Sequence, residues 1–293
     1  MHFRQWIRSC VLLAVLLALS WAAFAATYNG VVVFGDSLSD NGNLYNFIKY
    51  PPPPYWHGRF SNGPVAVEYM ATYYSVPLND FAWGGATSGV GDEGDFGTQT
   101  RLGLLGLPGM LTQYVLNVNK ITPSLAANGL FVLWGGPNDF DSNGLSTATA
   151  DRAVADLIAL VGVLKLKGVQ HILVLGMPDL GVTPSYRNAG HGDLGTQLSA
   201  YFNTKLVAAL KGTGAKYFDT FSLLDDIVKN PSKYGFTNVT DPCYKGLFHV
   251  CSNPNGYLFW DTIHPTTYAH YLLAYYVEQS LGTAVPLMEE TAN

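Results

Sequence analysis

Four short apolar runs, separated by longer segments with helical periodicity, constrain the fold of this chain more than any other feature of its sequence. The runs are rich in β-branched and aromatic residues, which is typical of buried strands; they span residues 31–34, 130–134, 171–176 and 216–218. Apolar residues recur at three-and-four spacing over residues 148–166, 195–210 and 221–228, which predicts helices there. Strands that alternate with helices build βαβ units. The order therefore predicts an α/β fold with a mostly parallel sheet and helices on both faces.

The rest of the chain is predicted to form loops and one further helix. No charged run or low-complexity tract divides residues 26–293, so we interpret them as one domain. Residues 51–54 are prolines that predict a stiff connector, and residues 84–109 are rich in glycine and predict a long loop. A final helix is predicted to begin near Pro265 and to run through residues 268–279.

The first 25 residues have the pattern of a secretory signal peptide. Arg4 and Arg8 precede an apolar run over residues 11–19, and small residues surround the predicted cleavage point before Ala26. An uncleaved membrane anchor is the alternative, but the run is shorter than the roughly 18 residues that a spanning helix needs. We therefore expect residues 1–25 to be removed and the mature protein to be secreted or periplasmic.

The charge balance argues against one class of function. The chain carries 16 Lys and Arg residues against 21 Asp and Glu residues, a net charge of −5. Because there is no general excess of positive charge to attract a phosphate backbone, we do not expect a nucleic-acid partner. Only 13% of the residues are charged. This is about half the usual fraction, so we expect a surface apolar enough for peripheral contact with membrane lipid.

Two cysteines remain once the signal peptide is removed. Cys243 and Cys251 form an even pair in a chain expected to be exported, where disulfides persist. We predict that they are bonded to each other; two free buried thiols are the alternative. Because the pair shortly precedes Asp261, the bridge is expected to restrain the loop that carries this residue.

Ser37 follows the first predicted strand, in the sequence Gly-Asp-Ser. A strand that ends in this way and turns into a helix places the serine hydroxyl at the carboxyl edge of the sheet, where open α/β folds bind their ligands. Aspartate and serine also cap helices, so Asp36 or Ser37 could have that role alone. The motif by itself leaves both interpretations open.

Asp261 and His264 lie close together near the end of the chain, in the sequence Asp-Thr-Ile-His. A nucleophilic serine needs a base that takes its proton, and the base needs an acceptor that orients its ring. His264 and Asp261 supply both groups; an ordinary surface histidine beside an acid is the alternative. The other histidines considered have no such neighbour and are expected to be structural or at the surface; they are His57, His171, His191, His249 and His270.

Two further segments contain donors for a developing oxyanion, which acyl transfer requires. Gly84 and Gly85 allow the backbone N–H groups to approach a ligand closely, and Asn138 presents an amide side chain after the predicted strand at 130–134. Each segment alone is explained as well by an ordinary turn. Which of the two glycines points inward is left open.

Taken in order, these segments resemble the four sequence blocks of the GDSL, or SGNH, hydrolase family. The matching residues are Gly35-Asp36-Ser37-Leu38, Gly85, Gly136-Pro137-Asn138-Asp139 and Asp261-Thr262-Ile263-His264. The resemblance implies a three-layer αβα sandwich and ester hydrolysis, with Ser37 as nucleophile, His264 as base and Asp261 as its orienting acid. It also implies an oxyanion hole made by the Ser37 and Gly85 backbone N–H groups and the Asn138 side chain. Such a mechanism requires no metal and no organic cofactor.

Motifs for other chemistries are missing or weak. The sequence contains neither a His-Glu-x-x-His zinc motif nor a Cys-x-x-Cys pair. Residues 89–94 match the dinucleotide-binding fingerprint, but they follow no convincing strand and contain Asp92 and Glu93 where a pyrophosphate would bind. We interpret this segment as a loop.

The resemblance extends to secreted bacterial GDSL lysophospholipases, phospholipases A and glycerophospholipid-cholesterol acyltransferases. It implies a lysophospholipid or phospholipid acyl ester as substrate, with acyl transfer to an alcohol as a side activity. Aromatic residues between Ser37 and Gly85 are expected either to line an acyl groove or to pack in the core; they are Tyr45, Phe47, Tyr50, Tyr55, Trp56, Tyr69, Tyr73 and Tyr74. A carbohydrate acetylesterase or short-chain esterase, and a non-catalytic binding module of the same fold, are the alternatives.

Overall fold

A computed structural model describes residues 28–93, 106–247 and 249–282 of the chain. The predicted signal peptide and its cleavage point lie outside these ranges. Among the described residues, no helix is both long enough and apolar enough to cross a membrane.

A five-stranded parallel sheet forms the centre of the molecule. Its strands are β1 (Val31–Gly35), β2 (Leu78–Asp80), β3 (Leu130–Trp134), β4 (His171–Leu175) and β5 (Lys216–Phe218). Their order across the sheet is β2-β1-β3-β4-β5, and every neighbouring pair is parallel. The four strands predicted from apolar runs are all present, which confirms the predicted α/β fold.

Ten α-helices lie within the described ranges. They are α1 (Asn43–Ile48), α2 (Ala66–Tyr74), α3 (Met110–Asn117), α4 (Pro123–Asn128), α5 (Pro137–Asn143), α6 (Thr147–Leu166), α7 (Pro184–Asn188), α8 (Gly192–Leu210), α9 (Thr220–Lys229) and α10 (Thr267–Ser280). The three long helices predicted from periodicity correspond to α6, α8 and α9. Helices α1 to α5 and α7 were not predicted from the sequence.

The two faces of the sheet bury alternate residues of the same strands. Val32 and Phe34 of β1 share one core with residues of α6 and α8, whereas Val31 and Val33 share a second core with residues of α2 and α10. This division follows from the strand geometry, in which successive side chains point to opposite faces. All residues of β1 and β3 are buried. The result is a helix–sheet–helix sandwich, as expected.

The strand order places a crevice at one edge of the sheet. After β1 the chain forms β2 on one side of it and then crosses to form β3 on the other side. The connection that leaves β1 and the connection that leaves β3 therefore run toward opposite edges of the sheet. Ligands in open α/β sheets bind at such a switch point, outside the carboxyl ends of the strands. Gly35 at the end of β1 pairs with Trp134 at the end of β3, so the loops that follow both strands begin side by side.

A second, two-stranded parallel sheet lies between α9 and α10 in the chain. It consists of β6 (Asn238–Pro242) and β7 (Tyr257–Phe259), and it shares a small apolar core with both helices. The helix predicted to start near Pro265 begins two residues later, because the Thr266 hydroxyl accepts a hydrogen bond from the Ala269 N–H and caps α10. Cys243 and Cys251 form a disulfide in this region, as predicted.

Candidate active site

Ser37 lies immediately beyond β1, in a tight turn. The backbone N–H groups of Ser39 and Asp40 both donate to the Asp36 carbonyl oxygen, at 3.0 and 2.9 Å, and the Leu38 N–H donates to the Asp36 carboxylate at 3.0 Å. A Cβ at Gly35 would come within 2.6 Å of the Trp134 carbonyl oxygen, so the strand end has no room for a larger residue. The turn leaves Ser37 partly exposed at the carboxyl edge of the sheet.

His264 connects Ser37 to Asp261 by two short hydrogen bonds. Its Nε2 lies 2.8 Å from the Ser37 Oγ, and its Nδ1 lies 2.7 Å from the Asp261 Oδ2. The other carboxylate oxygen, Oδ1, accepts the backbone N–H groups of Ile263 and His264 at 2.8 and 2.7 Å, which holds the segment in a turn. The structure therefore brings together the three residues that the sequence analysis singled out, although Ser37 and His264 are 227 positions apart.

The electrostatics of this pair favour an ionised Asp261 beside a basic His264. Burial alone would lower the pKa of His264, but the Asp261 carboxylate, its hydrogen bond, and the charges of Asp36 and Glu93 raise the pKa above its usual value. Burial would conversely raise the pKa of Asp261, but His264 and the two backbone N–H groups lower it. Such an imidazole can take a proton from the Ser37 hydroxyl, and the Asp261 carboxylate stabilises the imidazolium that results.

Asn138 and Gly85 flank the Ser37 turn. Asn138 lies in the first turn of α5 after Pro137, and its Nδ2 donates to the Ala86 carbonyl oxygen at 2.9 Å, which fixes the amide and leaves a second N–H for a ligand. The Gly84 N–H is occupied by the Asp40 carboxylate at 2.8 Å. Gly85, which has φ +82°, is the glycine of the two whose backbone N–H has no partner within the described residues.

An apolar cavity adjoins Ser37 and His264. Aliphatic side chains are the largest group in its wall and come from the loops after β1, β4 and β7, from α9, from β7 and from α10; they include Leu38, Leu180, Leu223, Leu224, Ile227, Leu258, Ile263, Ala269 and Leu273. Its polar lining includes Asp36, Asn138, Asp141, Thr183, Thr220 and His270. None of the eight aromatic residues proposed for an acyl groove lines this cavity. Tyr74 packs in the core, whereas Phe47, Tyr50 and Trp56 are exposed.

Sequence reasoning missed three features of the site. Tyr55 donates its hydroxyl hydrogen to the Asp261 Oδ2 at 2.7 Å, and the two residues are 206 positions apart, so no local spacing could reveal the contact. His270, expected to be structural or at the surface, is buried in the cavity wall, and neither ring nitrogen has a hydrogen-bond partner within the described residues. Burial and the nearby His264 lower the pKa of His270 to about 3. Asp40 links the Ser37 turn to Gly84 and to the start of α1.

Within residues 28–93, 106–247 and 249–282, no cluster of three His, Cys, Asp or Glu side chains is placed to hold a metal ion. The contacts around Ser37 are suited to acyl transfer, because they bring a hydroxyl, an imidazole, a carboxylate and N–H donors together at one sheet edge.

Comparison with known proteins agrees with this chemistry. The chain is 27% identical to a phosphatidylcholine-sterol acyltransferase from Aeromonas hydrophila, over 90% of this chain and 93% of that protein. It is 29% identical to a thermolabile hemolysin from Vibrio parahaemolyticus, over 89% of this chain and 65% of that protein. A GDSL esterase/lipase from Arabidopsis thaliana is 26% identical over 84% of this chain and 87% of that protein.

Among solved structures, the fold is similar to that of Axe2, an acetylxylan esterase from Geobacillus stearothermophilus. The TM-score is 0.51 at 15% sequence identity, covering 89% of this chain and 97% of that one, so the likeness concerns the fold. The sequence model of the GDSL-like lipase/acylhydrolase family matches residues 31–277, which include every residue placed in the site above. The chain therefore belongs to the GDSL-like lipase/acylhydrolase family and is a carboxylic ester hydrolase.

Proposed function

We propose that this protein hydrolyses long-chain acyl esters of lysophospholipids and phospholipids through an acyl-enzyme on Ser37. The observation that supports the proposal best is the aliphatic cavity beside the hydrogen-bonded Ser37 and His264. A cavity with carbon walls next to a nucleophile fits the acyl chain of a lipid ester, because burial of each methylene group contributes about 0.8 kcal/mol to binding.

In the first step, the Ser37 Oγ attacks the ester carbonyl carbon while His264 Nε2 takes the hydroxyl proton. Asp261 remains ionised and holds Nδ1, so the positive charge on the ring lies next to a carboxylate. The negative charge that develops on the carbonyl oxygen is received by the N–H groups of Ser37 and Gly85 and by Asn138 Nδ2. His264 then gives its proton to the alcohol, and the alcohol leaves.

In the second step, His264 takes a proton from water, and the water oxygen attacks the acyl carbon bound to Ser37. The acid leaves, and the proton returns to the Ser37 oxygen. An alcohol acceptor can replace water in this step, which would give acyl transfer as a side activity. The 27% identity to a phosphatidylcholine-sterol acyltransferase supports this side activity.

The alternatives fit the site less well. An acetyl group is too small to fill a cavity lined largely by aliphatic side chains, and the similarity to an acetylxylan esterase at 15% identity concerns the fold. A non-catalytic binding module has no need for the two hydrogen bonds that join Ser37, His264 and Asp261. The predicted signal peptide supports a secreted or periplasmic location, where lipid substrates are accessible.

The test is acyl release by the mature protein and its Ser37→Ala variant. Substrates are a lysophospholipid, a diacyl phospholipid, short-chain aryl esters and acetylated xylan. We expect Ser37-dependent release of long acyl chains from the lysophospholipid. Because replacing a hydroxyl with a methyl group at this turn removes little packing, the variant should stay folded, which circular dichroism checks. Release confined to acetyl esters would overturn the lipid assignment, and undiminished release by folded Ser37→Ala protein would overturn the mechanism.

A further inference from the structure

Tyr55 makes a direct contact with the acid of the site. Its hydroxyl lies 2.7 Å from the Asp261 Oδ2, and the same oxygen accepts the His264 Nδ1–H at 2.7 Å. The sequence places Tyr55 in the segment after four consecutive prolines, far from Asp261 in the chain. The contact is thus made by the tertiary fold alone.

The hydrogen bond from Tyr55 completes the set of donors around a buried carboxylate. The Asp261 Oδ1 accepts two backbone N–H groups, from Ile263 and His264, so that each carboxylate oxygen accepts two hydrogen bonds. Four donors fix both the position and the rotation of the carboxyl group. The four hydrogen bonds also disperse the negative charge of the carboxylate, which would otherwise interact mainly with His264.

The ring of Tyr55 is held in a cluster of aromatic side chains. It makes edge-to-face contacts with Phe60, Tyr244 and Trp260, with centroid separations of 6.2, 5.6 and 6.3 Å. Burial and the neighbouring Asp261 raise the pKa of the Tyr55 hydroxyl, so it stays protonated and can only donate to the carboxylate. The cluster therefore delivers a fixed proton donor to Asp261.

We propose that Tyr55 is a positioning residue for ester hydrolysis, which holds the Asp261 carboxylate toward His264 and weakens its hold on the His264 proton. The inference rests on the proposed roles of Asp261 and His264. Two effects follow from removal of the hydroxyl. The carboxylate gains freedom to rotate away from Nδ1, which lowers the turnover number. When the Asp261 carboxylate does face the imidazole ring, its charge is less dispersed, and this raises the pKa of His264.

The decisive variant is Tyr55→Phe, measured on a water-soluble short-chain aryl ester. The phenylalanine ring keeps the aromatic contacts, so the melting temperature should change little. We expect kcat to fall about tenfold with KM within about twofold, because the lost hydrogen bond is to a charged group and acts on the base rather than on substrate binding. The acidic limb of the kcat/KM profile should move to higher pH.

The other groups whose charge acts on His264 are unchanged in this variant. They are Asp36 in the turn after β1, Glu93 in the loop that follows Gly85, Asp261 itself, and His270 on α10. The matched control is Tyr244→Phe, which removes a hydroxyl from the same aromatic cluster and leaves all four hydrogen bonds to Asp261 in place. It should match the wild type in both kcat and pH profile.

A second substitution should shift the acidic limb of the kcat/KM profile in the opposite direction. Replacement of Tyr55 by 3-fluorotyrosine makes the hydroxyl a stronger donor, so the acidic limb should move to lower pH. Wild-type kcat and an unmoved acidic limb in Tyr55→Phe would overturn the proposal. So would a loss of kcat with an unmoved limb in both variants, since a purely structural role would give that result. Activity that persists in Ser37→Ala would instead overturn the proposed function, and the two failures are therefore distinguishable.

Discussion

Asp36 and Asp261 are carboxylates of the same site in opposite environments. Asp36 is buried, and within the described residues its Oδ2 has no hydrogen-bond partner. Burial accordingly raises the pKa of Asp36 to about 7, while the Leu38 N–H and His264 act in the other direction. Asp261, with four donors, has a lowered pKa. Hydrogen-bond partners, rather than depth alone, thus set how readily each of the two carboxyl groups is ionised.

We predict that Asp36→Asn flattens the pH dependence of stability. The folded pKa of about 7 lies above the ordinary value of 3.8 in the unfolded chain, so the unfolded state loses this proton first as the pH rises. The free energy of unfolding therefore falls between these two pH values, by an amount on the order of a few kcal/mol from this group. Urea unfolding at several pH values checks this. Parallel curves for wild type and variant would contradict it.

A second prediction concerns Asn138. Removing its amide in Asn138→Ala should lower kcat on the order of a hundredfold, because one donor to the oxyanion is lost. The variant also loses the hydrogen bond to the Ala86 carbonyl oxygen, so its melting temperature must be measured beside its activity. A folded variant with kcat reduced by less than about threefold would contradict the role in the oxyanion hole.

At the scale of elements, the disulfide loop lies against the segment that carries Asp261. The Cys243 N–H donates to the Phe259 carbonyl oxygen at 3.0 Å, and the Tyr244 N–H donates to that of Trp260 at 2.7 Å. We predict that reduction lowers activity before the central sheet unfolds. Activity and far-ultraviolet circular dichroism, followed together after addition of reductant, test this order, with a Cys243→Ser, Cys251→Ser double variant as the control. Full activity after complete reduction would make the bridge a general stabiliser only.

The segment from α1 to Trp56, which includes Tyr55, exposes large apolar side chains. Phe47, Ile48 and Trp56 are 57%, 39% and 38% exposed. Since the same segment reaches Asp261 through Tyr55, we expect it to touch the lipid aggregate from which the ester is taken.

A double variant, Phe47→Ser with Trp56→Ser, should therefore lose activity about fivefold or more on phospholipid vesicles while keeping its activity on a soluble aryl ester. The matched control is Val115→Ser with Leu116→Ser on α3, since these side chains are 67% and 66% exposed and do not line the cavity. Equal losses in the two double variants would show that general surface apolarity, and not this segment, matters.

Prediction from the sequence succeeded where a strand is buried on both faces. β1, β3 and β4 have continuous apolar runs, and their positions follow directly from them. β2 is only half-buried, and β6 reads Asn-Val-Thr-Asp-Pro, so neither has a local signal and each exists because a distant partner strand pairs with it. Secondary structure of this kind is fixed by tertiary context.

The candidate site likewise contains residues that could be predicted from the sequence and residues that could not. The residues of the four sequence blocks could be named in advance, because family resemblance fixes their types and order. Tyr55 and His270 could not, because nothing in the sequence distinguishes this tyrosine from the other aromatic residues between Ser37 and Gly85, or this histidine from the other six in the chain. The composition of the cavity wall was likewise not predictable, since its aliphatic residues come from several separate elements.

For the molecule as a whole, the site depends on the complete fold. Ser37 follows β1, Asn138 follows β3, and His264 precedes α10. Because these segments meet only at the edge of the assembled sheet, we predict that loss of activity and loss of the sheet coincide in urea while the disulfide is intact. Activity and circular dichroism at each urea concentration provide the comparison. Inactivation at a clearly lower concentration would mean that part of the site separates before the sheet does. The interpretation of residues 26–293 as one domain stays a prediction.

The distance in sequence between Ser37 and His264 has a consequence in time. A ribosome makes Ser37, the proposed nucleophile, 227 residues before His264, its proposed base, so a chain that ends before His264 holds a serine with no histidine beside it. Domains of this size fold largely once their distant segments are available. An ester hydrolase that depends on this pair is therefore inactive until its chain has been made through His264.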